Sequence, residues 1–131
     1  MIEKFAFQKG GVGVAVILNA VEIRDPVISD TDLLVSDGIY VRFSASSIFL
    51  TPHNIEEYLF RAIREQADSI QDSSGSNICF DILEVMSTMD AFKDEALYVV
   101  MRAWLSRYYD LALPPILVEV DFESRRFLFD I

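Results

Sequence analysis

The chain has 131 residues, 52% of them hydrophobic and 24% charged, the composition of one ordinary folded domain and not of a disordered or fibrous chain. Its 21 Asp and Glu against 11 Lys and Arg leave a formal charge of −10, a field that repels phosphate and so argues against nucleic acid or an anionic membrane as partner. A single cysteine, Cys79, excludes an intramolecular disulfide framework.

Acidic Glu3 stands beside Lys4 at the start, where a signal peptide would place a basic region and then an apolar one. The longest apolar stretch, residues 12–18 with Gly13 inside it, falls far short of the ~20 residues that cross a bilayer. A cytoplasmic location is the expectation.

In chain order, residues 2–8 and 12–23 flank Lys9-Gly10-Gly11 and predict a hairpin whose second strand is long and rich in β-branched residues. Asp25-Pro26 ends it, because proline lacks the N–H that a ladder needs. Residues 33–35 and 39–43 flank Ser36-Asp37-Gly38, and Asp-Gly is a favoured pair for a type I′ turn. Ile39, Val41 and Phe43 then share one face while Tyr40, Arg42 and Ser44 share the other. Ile48-Phe49-Leu50 is a weaker continuation of the sheet.

Thr51-Pro52 starts a helix, with threonine at the N-cap and proline at the first helical position. Ile55, Leu59, Ala62, Ile63 and Ile70 recur at helical spacing. The apolar-free stretch 71–77 predicts a mobile loop, and residues 78–85 an interior strand interrupted by Asp81 and Glu84. Ser87 and Asp90 have capping-box spacing for a second helix over about residues 88–109, apolar on nearly all sides between positions 97 and 105 and therefore the most buried one. Pro114-Pro115 closes it off. The last segment predicts a hairpin turning at Glu123-Ser124, which sets Val120 opposite Phe127, Val118 opposite Phe129 and Ile116 opposite Ile131 on one face, with Asp121 and Arg126 on the other. The pattern is that of a single α+β domain, a mostly antiparallel sheet built from hairpins with two main helices packed on it.

Motifs with chemical meaning are sparse. Gly10-Gly11-Val12-Gly13 has no Gly-Lys-Ser/Thr after it and leads into a strand, so it reads as a turn and not a phosphate loop. Asp30-Thr31-Asp32 begins like a calcium loop but continues with Leu34 and Val35. One histidine and one cysteine do not make a zinc site, and Cys79 beside Phe80 has the setting of a small buried hydrophobe. No metal or cofactor is indicated. His53, in the first turn of a helix, could work with a carboxylate such as Asp81 as an acid–base pair in a small enzyme, although the sequence alone does not bring the two together.

The distribution of charge says more. Residues 1–24 carry a net +1 and residues 102–131 a net −1, so the whole −10 resides in residues 25–101. Asp25, Asp30, Asp32 and Asp37 follow Arg24 with no Lys or Arg until Arg42, an acidic segment without evident partners. On the first helix Glu57 and Arg61, Arg61 and Glu65, and Arg64 and Asp68 have i,i+4 spacing and should neutralise one another. Glu65, Asp68 and Asp72 lead into the polar loop.

Complementary charge speeds association and selects partners. The expected function is accordingly that of an immunity or antitoxin protein, not an enzyme, that binds a basic protein such as a toxin nuclease domain and covers its active or substrate-binding site. Asp25, Asp30, Asp32 and Asp37 are the expected contacts, with Glu65, Asp68 and Asp72 second. The alternatives are an export or assembly chaperone holding an extended peptide and the His53 enzyme.

Overall fold

The long strand expected after the first turn organises the sheet. In the computed structural model, which describes residues 1–44, 50–88 and 91–131, β2 (Val12–Arg24) is flanked by β1 (Ile2–Lys9) and β5 (Ile78–Met86), both antiparallel to it. Beyond β5 come β4 (Ile39–Phe43) and β3 (Leu33–Ser36), giving the order β1-β2-β5-β4-β3. Among the described residues only β4 and β5 run parallel, because the chain between them crosses over instead of turning back in a hairpin.

Alternation decides which face is covered. Val14, Val16, Leu18 and Ala20 of β2, Ile39 and Val41 of β4 and Ile78, Phe80 and Ile82 of β5 are all buried. Over them lies α4 (Asp94–Tyr109), whose Ala96, Leu97, Tyr98, Val100, Met101, Trp104 and Leu105 are buried, so it is the enclosed helix that its composition predicts. Trp104 meets Phe80 edge to face at 5.6 Å, stacks on Tyr108 at 4.7 Å and donates its indole N–H to the Met1 carbonyl at 2.9 Å. That bond lets a large ring be buried without stranding its donor, and it fixes the start of β1.

The expected amphipathic helix begins as predicted. Thr51 caps α1 (Pro52–Asn54) in a reciprocal capping box with Asn54. The helical path is not uniform, however. A π-helical turn (Ile55–Leu59) leads into α2 (Phe60–Glu65), Gln66 breaks the path at φ −109° and ψ 11°, and α3 (Ala67–Ser74) follows. The loop expected over residues 71–77 is therefore helical in its first four residues: Ile70 anchors α3 in the core, and Gly75, in the left-handed conformation, caps it by donating to the Gln71 carbonyl at 2.8 Å.

Other boundaries also move for local reasons. Ser87 does not cap α4, because its hydroxyl donates to the Ala15 carbonyl at 2.6 Å, and α4 starts only at Asp94. Asp90, its proposed partner, and the Ile48-Phe49 part of the weak strand lie outside the described residues; Leu50 is not in a strand. The helix ends at a left-handed Asp110, ahead of Pro114-Pro115. At the β3–β4 turn only Gly38 has a positive φ, so the turn is not type I′; a register shift between Leu34 and Ser36 takes up the twist and leaves Val35 buried.

The C-terminal hairpin, β6 (Val118–Asp121) and β7 (Arg126–Phe129), has the expected register, with Val118 opposite Phe129 and Val120 opposite Phe127. The ladder stops at Asp121 and Arg126, and residues 122–125 form the turn with Arg125 left-handed. Ile116 and Ile131 fall outside the ladder, although the neighbouring Asp130 N–H still bonds the Leu117 carbonyl at 2.9 Å. The hairpin is a separate sheet that packs through Phe129 on Phe5 and Phe127 on Phe7, while the Phe122 ring lies against Gly10.

Gly38 gives a direct test of this end of the sheet. A Cβ there would stand 2.7 Å from Gln71 Nε2 and 3.0 Å from Asn77 Oδ1, at a φ of +73°. Gly38→Ala is expected to lower the stability by about 1–2 kcal/mol, the cost of a left-handed backbone for an L-residue. A urea titration reads this as a lower midpoint at unchanged slope; an unchanged midpoint contradicts it.

Candidate functional site

Of the acidic residues singled out in the sequence, Asp32 behaves least as expected. Residues 27–32 are tied to β4 by Arg42, which alternates with the buried Ile39 and Val41 and so faces away from the helices. The Arg42 guanidinium donates Nε to Asp32 Oδ1 and Nη2 to Asp32 Oδ2, each at 2.8 Å, and Nη2 also reaches the Val27 carbonyl at 3.0 Å. The Ser29 N–H adds a third bond to Asp32 at 2.9 Å. The Asp32 side chain has no accessible surface. Hydrogen bonding from Arg42, then from the Ser29 backbone, holds its carboxyl well below the usual carboxylate range. The expectation of an unpartnered acidic segment therefore fails at Asp32, whose partner is the Arg42 that closes the segment in sequence.

The remaining carboxylates divide by place. Asp37, in the β3–β4 turn, and Asp68, on α3, line one depression of about 330 Å³ with Ser36, Gly38, Ala67, Gln71 and Asn77. Gln71 ties its two sides together by donating Nε2 to the Asp37 carbonyl at 3.0 Å. Asp25 joins the same end of the sheet through its N–H, which donates to the Asn77 carbonyl at 2.9 Å. It holds a left-handed conformation, φ 49°, just past the end of β2. Asp72 is exposed one residue beyond Gln71, and Asp30 is exposed in the 25–32 segment; neither lines the depression.

The first-helix pairs are partly rearranged. Arg61 does bond Glu65, at 3.3 Å, and Glu65 also accepts from the Tyr98 hydroxyl. Arg64, however, reaches Glu56 at 2.7 Å and the Val35 carbonyl at 3.0 Å, and the break at Gln66 lies between it and Asp68. Glu65 is thus neutralised while Asp68 is not, and among the described residues no ion pair involves Asp25, Asp37, Asp68 or Asp72.

The other candidates are placed apart. Asp81 accepts from the Ser44 hydroxyl at 2.7 Å, on the sheet face that carries Arg42. His53 is exposed in α1, which packs on the helical side against α4. The two groups do not meet. Cys79 is fully buried, and burial pushes its thiol up, with Arg42 opposing. Among the described residues no group of three or more His, Cys, Asp or Glu side chains could hold a metal ion, and no helix is long and apolar enough to cross a membrane.

What sequence reasoning missed was the reach of arginines across elements. Arg42 alternates outward on β4 and faces the loop, a signal visible in the strand pattern; Arg64 finding Glu56 depends on the π-helical turn, which has no such signal.

The Asp32 pair predicts a pH-dependent stability. Because the folded carboxyl is held below its unfolded value of about 3.9, its contribution is full above that value and is lost as pH falls through it toward the folded one. Asp32→Asn should be less stable than the parent at neutral pH, and the gap should begin to narrow as pH falls below about 5 and go on narrowing as it falls further toward the folded value. Denaturant midpoints at several pH values check this; a gap independent of pH contradicts it.

Comparison with known protein families, with curated proteins and with solved structures finds no match for this chain.

Proposed function

We propose that the chain is a small acidic binding protein of the immunity or antitoxin type, which engages a basic protein partner, such as a toxin's nuclease domain, through the end of the sheet that carries Asp25, Asp37 and Asp68. The observation behind this reading is the meeting of Asp37 and Asp68, from separate segments, on one depression, with Asp25 bonded through its backbone N–H to Asn77 of the same lining and no Lys or Arg paired with any of the three among the ion pairs described. Like charges held together raise the local negative potential, and a nuclease surface built to attract phosphate is attracted by the same field. Asp72, exposed one residue beyond Gln71, adds to the acid at this end, whereas Asp30 lies in the segment held by Arg42. Asp32 belongs to the scaffold, since Arg42 cancels its charge, and Glu65 is similarly occupied by Arg61 and Tyr98.

Gln71, bonded to the Asp37 carbonyl, links α3 to the β3–β4 turn and so restricts how the two can move apart. A rigid array loses less freedom on binding, so more of the charge attraction appears as affinity. In this reading a soluble partner is captured by steering and held by complementarity.

The test combines capture at low salt with charge removal. Proteins retained by the immobilised chain should elute as salt rises. The variant Asp25→Asn, Asp37→Asn, Asp68→Asn, Asp72→Asn should bind the captured protein with an association rate lower by about tenfold or more at low ionic strength and little change in dissociation. Equal association rates and salt dependence for parent and variant defeat the proposal.

A further inference from the structure

The two edges of the five-stranded sheet are treated differently. The β3 edge is four residues long, carries a bulge and has its Val35 carbonyl taken by Arg64 at 3.0 Å. These features stop another strand from adding there. The β1 edge is eight residues long, with a continuous register against β2 and neither bulge nor proline.

Hydrogen-bond parity shows which groups β1 leaves outward. Met1 exchanges bonds with Ala20, so by alternation Glu3, Phe5, Phe7 and Lys9 also turn their backbone groups to β2. Ile2, Lys4, Ala6 and Gln8 then turn theirs away from the sheet. Arg107 takes the Ile2 carbonyl at 3.4 Å. Among the described residues, the outward N–H and C=O groups of Lys4, Ala6 and Gln8 have no protein partner.

We propose that this edge pairs with the same edge of a second copy, antiparallel about a two-fold axis at Ala6, to make one ten-stranded sheet from two five-stranded ones. Charge and parity select the occupant and the register together. With Ala6 opposite Ala6, Lys4 faces Gln8 as a hydrogen-bonded pair. Glu3 then faces Lys9, and Phe5 faces Phe7, each twice, as the closer non-hydrogen-bonded pairs. Arg107 holds Glu3 at 2.8 Å, so Lys9 would share that carboxylate with Arg107, and the Glu3–Lys9 pair serves to set the register more than to supply affinity. Shifting the axis to Lys4 sets two lysines against each other, and shifting it to Phe5 sets Glu3 opposite Phe7 and Lys9 opposite Met1, whose terminal ammonium is of like charge. The half-buried aromatic layer of Phe5, Phe7, Phe127 and Phe129 would continue across the axis. An isologous contact of this kind closes on itself and does not propagate into fibres.

Cysteine cross-linking of the whole chain tests both the pairing and its register. Opposed Cα and Cβ atoms in a hydrogen-bonded pair are about 5.5 Å apart, slightly more than a direct disulfide spans and within reach of a short thiol-to-thiol cross-linking reagent. Ala6→Cys treated with such a reagent should therefore give a cross-linked dimer on a denaturing gel. Lys4→Cys mixed with Gln8→Cys should cross-link, whereas each alone should not; the parent chain, with Cys79 buried, is the control. Light scattering of the parent should show the mass doubling as concentration rises. Ala6→Pro removes an outward N–H and no bond to β2, so it should fold and stay monomeric. A parent that remains monomeric throughout the micromolar range overturns the proposal. So does a dimer that persists in folded Ala6→Pro, or one that fails to cross-link at Ala6, since each places the contact or the register elsewhere.

Discussion

The architecture depends on burying the apolar face of β5 while that strand is hydrogen-bonded on both sides. Ile78, Phe80 and Ile82 have no accessible surface, and Trp104 of α4 closes over Phe80. Because β5 lies parallel to β4, the chain between them cannot return by a tight turn and must cross over the sheet. The crossing brings α3 back to the end where β5 starts, β2 finishes and the β3–β4 turn lies. Three acidic segments are assembled as a by-product of that one connection.

Charge at this end is sorted by the arginines. Arg42 and Arg64 each donate to a backbone carbonyl as well as to a carboxylate, Val27 with Asp32 and Val35 with Glu56. A planar guanidinium can serve both acceptors at once, which lysine's point charge does less well. Their engagement in holding loops and helices together leaves Asp25, Asp37 and Asp68 uncompensated. The negative field is therefore a property of where the cations are spent as much as of how many acids there are.

Features carried by short-range periodicity were legible in the sequence. The alternation of Ile39, Val41 and Phe43, the Thr51-Pro52 start and the register of Val118 and Val120 with Phe129 and Phe127 each depend on neighbours within a few residues. The misreadings share a different cause. Ser87 was claimed by a carbonyl 72 residues away, Asp32 by an arginine on a strand that pairs elsewhere, and the polar stretch after Ile70 was drawn into a helix by packing on one side only. Local pattern does not register such long-range competition. The acidic candidates were found as residues, while their division into the buried Asp32, the paired Glu65 and the convergent Asp25, Asp37 and Asp68 required the tertiary structure.

The C-terminal hairpin has a consequence for how the molecule opens. Its ladder is confined to its own two strands, and its grip on the body runs mainly through Phe127 and Phe129 on Phe5 and Phe7 and Phe122 on Gly10. A unit with a self-contained ladder and a half-buried face detaches without breaking the main sheet, so its amides exchange with solvent through a partial opening while those of β5 wait for global unfolding. The molecule thus contains two cooperative units of unequal stability, and the weaker one covers the aromatic side of β1.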